Sequence, residues 1–230
     1  MKQNYFEPTW SSIKQHQTPN WFKKAKFGIY AHWGIYSVPA AGPNVTWYPY
    51  WMYRPPSPQF DYHCKHYGHP SKFGYKDFIP MFTAEKFNAE EWADLYYRSG
   101  AKFAGPVAEH HDGFPMWNCS DTEWCASKMG PKRDIVGELE KAIRNKGMKY
   151  MVAMHHAENW FFFPHWNNDF DTSKKEYESL YGELHNLDLI GNQAVYPDHW
   201  GRKNEHQDKP SKAFHAVSYT HLRAHETDTD

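Results

Sequence analysis

The stretch KFAGPVAEHHDG at residues 102–113 decides the fold of this chain. Its first half is a short, mostly apolar run of the kind found in a strand that is buried on both faces. The run then changes abruptly into the polar sequence EHHDG at 109–113. Parallel sheets place ligands at the carboxyl ends of their strands, so this order predicts a strand over 102–107 that leads directly into a site.

The same change from apolar to polar residues occurs twice more. Residues 27–33, FGIYAHW, form a short apolar run that contains His32 near its end. Residues 149–154 form another predicted strand, and His155 and His156 follow it directly. Because the carboxyl ends of parallel strands lie at one edge of a sheet, we expect these histidines to meet the pair in the central stretch.

Two amphipathic segments lie between the predicted strands, and each begins after a capping side chain and ends before a glycine. The caps and stops are Asn88 and Gly100 for a helix over 88–99, and Asp134 and Gly147 for a helix over 135–145. The apolar positions at helical spacing are Trp92, Leu95 and Tyr96 in the first, and Ile135, Val136, Leu139, Ala142 and Ile143 in the second. Residues 44–58, dense in proline and aromatic residues, are expected to form a loop.

Strands that alternate with amphipathic helices predict an α/β fold with a parallel sheet. Polar clusters at three successive strand ends indicate the N-terminal portion of a (β/α)8-like (TIM-type) barrel, which would be incomplete. The first strand lacks the Gly-x-Gly-x-x-Gly loop of a doubly wound dinucleotide-binding sheet. We expect residues 1–215 to form the partial catalytic barrel, and residues 216–230, which show no periodicity, to be a foreign or disordered tail.

The balance of charge argues against several kinds of partner. The chain has 26 Lys and Arg against 27 Asp and Glu, and so lacks the basic surface that nucleic acids require. No apolar run approaches the roughly 20 residues of a membrane-spanning helix. Residues 1–10 lack the basic and apolar regions of a signal peptide, so we expect either that the protein stays in the cytoplasm or that its true N-terminus is missing.

The residue types at the strand ends favour a neutral polyol as ligand. A neutral imidazole donates one hydrogen bond and accepts another, as sugar hydroxyls require. Indole rings offer faces on which a sugar can stack, although aromatic rings more often fill a core, and the candidates are Trp33, Trp47, Trp51 and Trp117. Glycoside cleavage also needs two carboxylates, and spacing alone pairs none of the candidates Glu109, Asp112, Glu158 and Asp198.

Two other interpretations of the histidines stay open. His32, His110 and His155, together with Asp112, offer a ligand set for a metal ion, although their spacing matches no metal motif. Buried histidines that bond only to the backbone are the ordinary structural alternative. Residue types and spacing do not decide between these interpretations and the polyol site.

A series of short blocks carries more information than any single motif. The blocks are KFGIYAHWG at 26–34, YSVP at 36–39, WY at 47–48, FTAE at 82–85, EWAD at 91–94, HHDGF at 110–114 and GPKRD at 130–134. In this order and at these separations they resemble the α-L-fucosidases of glycoside hydrolase family 29. The resemblance covers about residues 21–160. It implies a (β/α)8-like catalytic domain that releases L-fucose, with retention and without a cofactor, from an α-L-fucosyl oligosaccharide or glycoconjugate.

The resemblance also implies roles for individual residues. His32, His110 and His111 match ligands of the fucose hydroxyls, and Trp47 matches a wall or hydrogen-bond donor to the sugar. Thr46 stands where the family often has a glutamate, which removes one polar contact.

At the third strand end the sequence departs from the family. His155 and His156 stand where a tyrosine pair is common, which implies an altered sugar contact. Family members are often secreted, periplasmic or lysosomal.

In this family the nucleophile is an aspartate after the fourth strand, and the acid/base, usually a glutamate, comes later still. No segment after residue 160 matches these motifs. We therefore expect the chain to carry part of the fucose pocket but no catalytic pair, and to be inactive alone. The alternatives are a non-catalytic fucose-binding module and a metal-dependent hydrolase.

Overall fold

A computed structural model describes residue 7, residues 9–156 and residues 159–184 of the chain, with the backbone alone for Trp160 and Phe161. The predicted boundary between residues 215 and 216 therefore lies outside the described residues. The same holds for Glu158 and Asp198, two of the candidate carboxylates.

A parallel sheet stands at the centre of the described residues. Its central strand is β2, Phe103–Glu109, which pairs with β1, Gly28–Ala31, on one side. On its other side β2 pairs with two short strands, β3, Lys149–Tyr150, and β4, Ala153–Met154. All of these pairings are parallel, so the α/β architecture predicted from the sequence is confirmed.

The predicted strand over 149–154 is divided in two, and the cause lies in β2. Pro106 faces the same neighbouring strand as Ala104, but it has no N–H to donate to that strand. The Met151 carbonyl lies so close to Gly105 that a Cβ added there would sit 1.6 Å from its oxygen. Only glycine fits at this point, and the ladder is interrupted between Tyr150 and Ala153.

Helices make up most of the regular structure outside the sheet. The α-helices are α1 Trp10–Ile13, α2 Asn20–Ala25, α3 Tyr48–Trp51, α4 Pro58–His66, α5 Ala89–Arg98, α6 Ile135–Asn145, α7 Asn159–Phe162 and α8 Glu178–Tyr181. Of these helices, α6 packs directly on β2 and β3. Single turns of 3-10 helix lie at Ile35–Ser37, Val45–Trp47, Asp171–Ser173 and Lys175–Tyr177, and a longer one lies at Tyr75–Met81. Among the described residues, no helix has both the length and the apolar character needed to cross a membrane.

The two predicted helices form with the predicted caps. The Asn88 side chain accepts hydrogen bonds from two backbone N–H groups of α5, and Asp134 accepts one from Gly137 at the start of α6. All five predicted inner positions of α6 are buried. In α5 the prediction is wrong for Leu95, which is 57% exposed, because the buried face centres on Ala89, Ala93 and Tyr96.

The prediction of a loop over 44–58 is wrong for residues 45–51, whereas residues 52–57 contain no helix or strand, as predicted. This region contains a 3-10 turn and helix α3, and helix α4 begins at its end. Pro49 and Pro58 both lie in the first turn of a helix, where a fixed φ is already suitable and no N–H is needed. The Ser57 hydroxyl caps α4 by accepting a hydrogen bond from the Phe60 N–H at 3.1 Å. Two of the four prolines that suggested a loop therefore start helices, while Pro55 and Pro56 lie in the irregular stretch between these helices.

A buried carboxylate links the region after α3 to the last described segment. The hydroxyls of Tyr53 and Tyr181 donate to the two oxygens of Asp171 at 2.8 and 2.6 Å. The Tyr53 hydroxyl also accepts the backbone N–H of Tyr75 at 2.8 Å. Burial raises the pKa of Asp171 above its ordinary value. This network fixes residues far apart in the sequence around one polar group.

Candidate functional site

Three histidines meet at the carboxyl edge of the sheet. His32 follows β1, His110 follows β2 and His155 follows β4. The ring centroid of His110 lies 5.6 Å from that of His32 and 5.0 Å from that of His155, and His32 and His155 are 5.5 Å apart. The expectation that these strand ends meet is therefore confirmed. We call the space between these three rings and His111 the histidine cup.

His111 and Trp47 form one wall of the cup. The His111 ring lies 4.7 Å from His155 and 5.1 Å from Trp47, measured between centroids. The His111 Nδ1–H donates to the carbonyl of His155 at 3.1 Å, and the Asn159 side chain donates to the carbonyl of His111 at 3.0 Å. Both the ring and the backbone of His111 are thus held in place.

Gly113 makes the chain reversal after this pair possible. Its φ is +72°, which disfavours any residue with a Cβ. A Cβ there would also lie 2.6 Å from the Leu180 carbonyl oxygen and 2.7 Å from the Asn159 amide. The glycine therefore lets the last described segment pack directly against the chain that follows His111.

Two histidines of the cup, His32 and His110, have little tendency to take up a proton. Burial, reinforced by the neighbouring histidines, lowers the pKa of His110 to about 2. Burial also lowers the pKa of His32 below its ordinary value. Neutral imidazoles present both a donor and an acceptor, so the cup can exchange hydrogen bonds with hydroxyl groups in both directions.

His156, a predicted sugar contact, is bonded to a carboxylate. Its Nδ1 hydrogen-bonds to an oxygen of Glu109, which has no exposed surface. The register between β2 and β4 shifts between Val107 and Glu109, which accompanies this pairing. In the structure His156 therefore bonds to Glu109, a residue of the central strand.

Asp112, like Glu109, is bonded to neighbouring groups of the protein. Its carboxylate accepts the Tyr75 hydroxyl at 2.6 Å and the Phe114 N–H at 3.3 Å. Burial, with a smaller contribution from Glu109, raises the pKa of Asp112 to about 7. Of the four residues considered for a metal ion, His32, His110 and His155 converge and Asp112 does not.

The sequence alone did not point to three further residues of the site. The Tyr36 ring packs 4.9 Å from His110, and its buried hydroxyl has no hydrogen-bond partner among the described residues. The Phe162 ring lies 5.4 Å from both His111 and Trp47. Tyr36 lies within one of the blocks that carry the family resemblance, whereas Phe162 and Asn159 carry no such signal.

A separate cavity lies beyond Phe162. It has a volume of about 360 Å³ and is lined by Tyr53, Arg54, Trp166 and the residues 167–170, among others. Arg54 lines it, and also donates to the Phe162 carbonyl at 3.1 Å. None of the predicted site residues lines this cavity, so it is distinct from the histidine cup.

A parallel sheet with helices outside it and polar side chains at its carboxyl edge is the arrangement of (β/α)8-type catalytic domains. The profile of one such family, described as alpha-L-fucosidase, matches residues 1–229. The chain belongs to that family.

Relatives of known identity agree with this assignment. The chain is 46% identical to human plasma alpha-L-fucosidase over 157 residues, which are 68% of this chain and 33% of the relative. It is 37% identical to the alpha-L-fucosidase of Dictyostelium discoideum over 188 residues, which are 79% of this chain and 40% of the relative. The chain thus matches about a third of the length of the curated relatives.

Solved structures confirm the predicted fold as part of a TIM-like catalytic domain. The alpha-fucosidase of Thermotoga maritima in complex with fucose superposes with a TM-score of 0.62 and 43% identity, over 65% of this chain and 37% of that one. The same enzyme in complex with a mechanism-based inhibitor gives a TM-score of 0.71 and 31% identity, over 96% and 47%.

Proposed function

We propose that this chain forms the sugar-binding part of a retaining exo-α-L-fucosidase. The substrate would be an α-L-fucosyl oligosaccharide or glycoconjugate. The observation that carries the proposal is the histidine cup, in which neutral imidazoles converge beside an indole. The fucose bound in the Thermotoga maritima relative supports the choice of sugar.

The chemistry of the cup suits a deoxy sugar. Hydroxyl groups need partners that both donate and accept, and neutral His32 and His110 provide both. The methyl carbon of a deoxy sugar needs an apolar surface instead. Trp47 and Phe162 provide one, because their rings lie 5.4 Å apart next to His111. We propose that His111 and His155 complete the hydroxyl contacts and that His156 acts through Glu109.

The described carboxylates support a binding role rather than bond cleavage. Retaining cleavage requires two carboxyl groups about 5 Å apart on either side of the glycosidic bond. Glu109 is fully buried and bonded to His156, and Asp112 is bonded to Tyr75 and Phe114. We propose that both of these groups hold the cup in shape, and that the 230-residue chain binds fucose without hydrolysing fucosides.

Two measurements on the 230-residue chain test this proposal. We expect L-fucose, but not its enantiomer D-fucose, to give saturation-transfer signals in NMR, and an aryl α-L-fucoside to show no turnover. Absence of L-fucose binding would overturn the sugar pocket. Turnover of the aryl fucoside would overturn the assignment of Glu109 and Asp112 to structural roles. Cooperative melting of the chain as a soluble monomer would favour the binding-module alternative.

A further inference from the structure

The histidine cup has a second chemical property besides hydrogen bonding. His32, His110 and His155 each turn one ligand atom inward, and these three atoms all lie within 4.8 Å of one another. The rings are inclined to each other by 46° to 73°, so they are not stacked face to face. Three imidazoles thus converge on one point from the ends of three neighbouring strands.

This convergence matches the ligand set of a transition metal. Zn²⁺ sites commonly have three protein ligands with a fourth position left to water, and Zn–N bonds are about 2.0–2.1 Å. Such bonds place neighbouring nitrogens about 3.4 Å apart in a tetrahedron. The ligand atoms would have to approach one another by up to about 1.4 Å, and His32, the exposed member, has room to move.

A backbone hydrogen bond holds His155 in this arrangement. The His155 N–H donates to the Glu109 carbonyl at 3.0 Å, which fixes His155 beside His110. His111, whose Nδ1–H donates to the carbonyl of His155, is not one of the residues whose ligand atoms converge. The Nδ1 of His110 is buried and has no hydrogen-bond partner among the described residues.

We infer that His32, His110 and His155 bind one transition-metal ion of the zinc class. The ion would occupy the same cup as the sugar, so binding of the two would be mutually exclusive. The competition between metal and sugar rests on the function proposed above, whereas the metal site itself rests only on the positions of the three histidines. A metal of this kind would act as an inhibitor of sugar binding.

Calorimetric titration of the chelator-treated 230-residue chain with ZnCl₂ tests the ligand set. We expect one equivalent to bind, and His32→Ala and His155→Ala to weaken that binding at least tenfold. His66→Ala is the matched control, because His66 is exposed and stacked on Tyr62 at 4.2 Å, away from the cup. Equal weakening by His66→Ala, or no weakening by His32→Ala, would overturn the inference.

A measurement on the unsubstituted chain does not depend on the folding of a variant. Co²⁺ in a four-coordinate site absorbs strongly in the visible range, whereas six-coordinate Co²⁺ absorbs weakly. We expect the strong spectrum at one equivalent of Co²⁺ and its loss on addition of L-fucose. A weak spectrum contradicts the three-histidine site. A strong spectrum that L-fucose leaves unchanged contradicts only the shared cup, and fucose binding without metal binding contradicts only the metal site.

Discussion

Replacing Asp112 with asparagine tests whether, in the folded chain, Asp112 carries a proton and His110 does not. Burial raises the pKa of Asp112 to about 7 from its ordinary 3.8. Two residues away, burial lowers the pKa of His110 to about 2 from its ordinary 6.5. At mildly acid pH the folded chain therefore carries a proton on Asp112 and none on His110, whereas the unfolded chain has the reverse.

The two groups act on stability with opposite signs. One proton of difference between the folded and unfolded states changes the free energy of unfolding by about 1.4 kcal/mol per pH unit. The folded pKa of His110 is depressed, so its contribution is full above 6.5 and declines as pH falls toward 2. The folded pKa of Asp112 is raised, so its contribution is full below 3.8 and is lost as pH rises toward 7. Between about pH 5 and 6 the two slopes nearly cancel.

Single substitutions should uncover each slope. Relative to the native chain, we expect Asp112→Asn to make the free energy of unfolding rise by about 1.4 kcal/mol more from about pH 5 to 6. We expect His110→Gln to make it fall by about the same amount over that interval. Asparagine keeps the shape of Asp112 and can still accept from the Phe114 N–H. The double variant should return to the native slope, which makes it the internal control.

Urea unfolding followed by tryptophan fluorescence measures these slopes, in buffers that contain a chelator so that no metal occupies the cup. Identical slopes for the native chain and Asp112→Asn would show that Asp112 is ionised in the folded state, and the reasoning would fail. A double variant that departs from the native slope would show that other groups account for the change.

Three further outcomes follow from the contacts described above. Both Gly113 and Gly147 have positive φ, which alone should make Gly147→Ala cost about 1–2 kcal/mol, since a Cβ there meets nothing within 4 Å. Gly113→Ala should cost more, because its Cβ would also clash with the Leu180 carbonyl and the Asn159 amide. Urea unfolding of the two variants compares these costs. Tyr53→Phe should cost about 1–3 kcal/mol, because one oxygen of the buried Asp171 carboxylate and the Tyr75 N–H both lose a hydrogen-bond partner; Tyr97→Phe, at a 56% exposed ring, should cost less than about 0.5 kcal/mol. Trp47→Phe should reduce the fluorescence change caused by saturating L-fucose, and Trp10→Phe, at a 78% exposed ring, should not; equal responses would remove Trp47 from the sugar site.

Local signals explain which elements the sequence could predict. Helix α6 has the predicted bounds because Asp134 and Gly147 mark its ends and its apolar residues recur at helical spacing. The division between β3 and β4 could not be predicted, because it depends on Gly105 and Pro106 in a different strand. Helix α3 was missed because its proline marks the start of a helix as readily as a loop.

The same distinction applies to the candidate site. His32, His110 and His155 could be placed together because parallel strands end at a common edge. The pairing of His156 with Glu109 could not, since it accompanies a register shift between two strands. The contacts of Phe162 and Asn159 could not be predicted either, because both residues lie in α7, a four-residue helix too short to show an apolar pattern in the sequence.

The pairing of Asp171 with Tyr53 can form only late in the synthesis of the chain. Tyr53 precedes Asp171 by 118 residues. At about 5–20 residues per second, a ribosome needs roughly 6 to 24 seconds to add that interval. Until then the Tyr53 hydroxyl can accept the Tyr75 N–H but has no carboxylate to which it can donate, so this buried pairing forms late during synthesis.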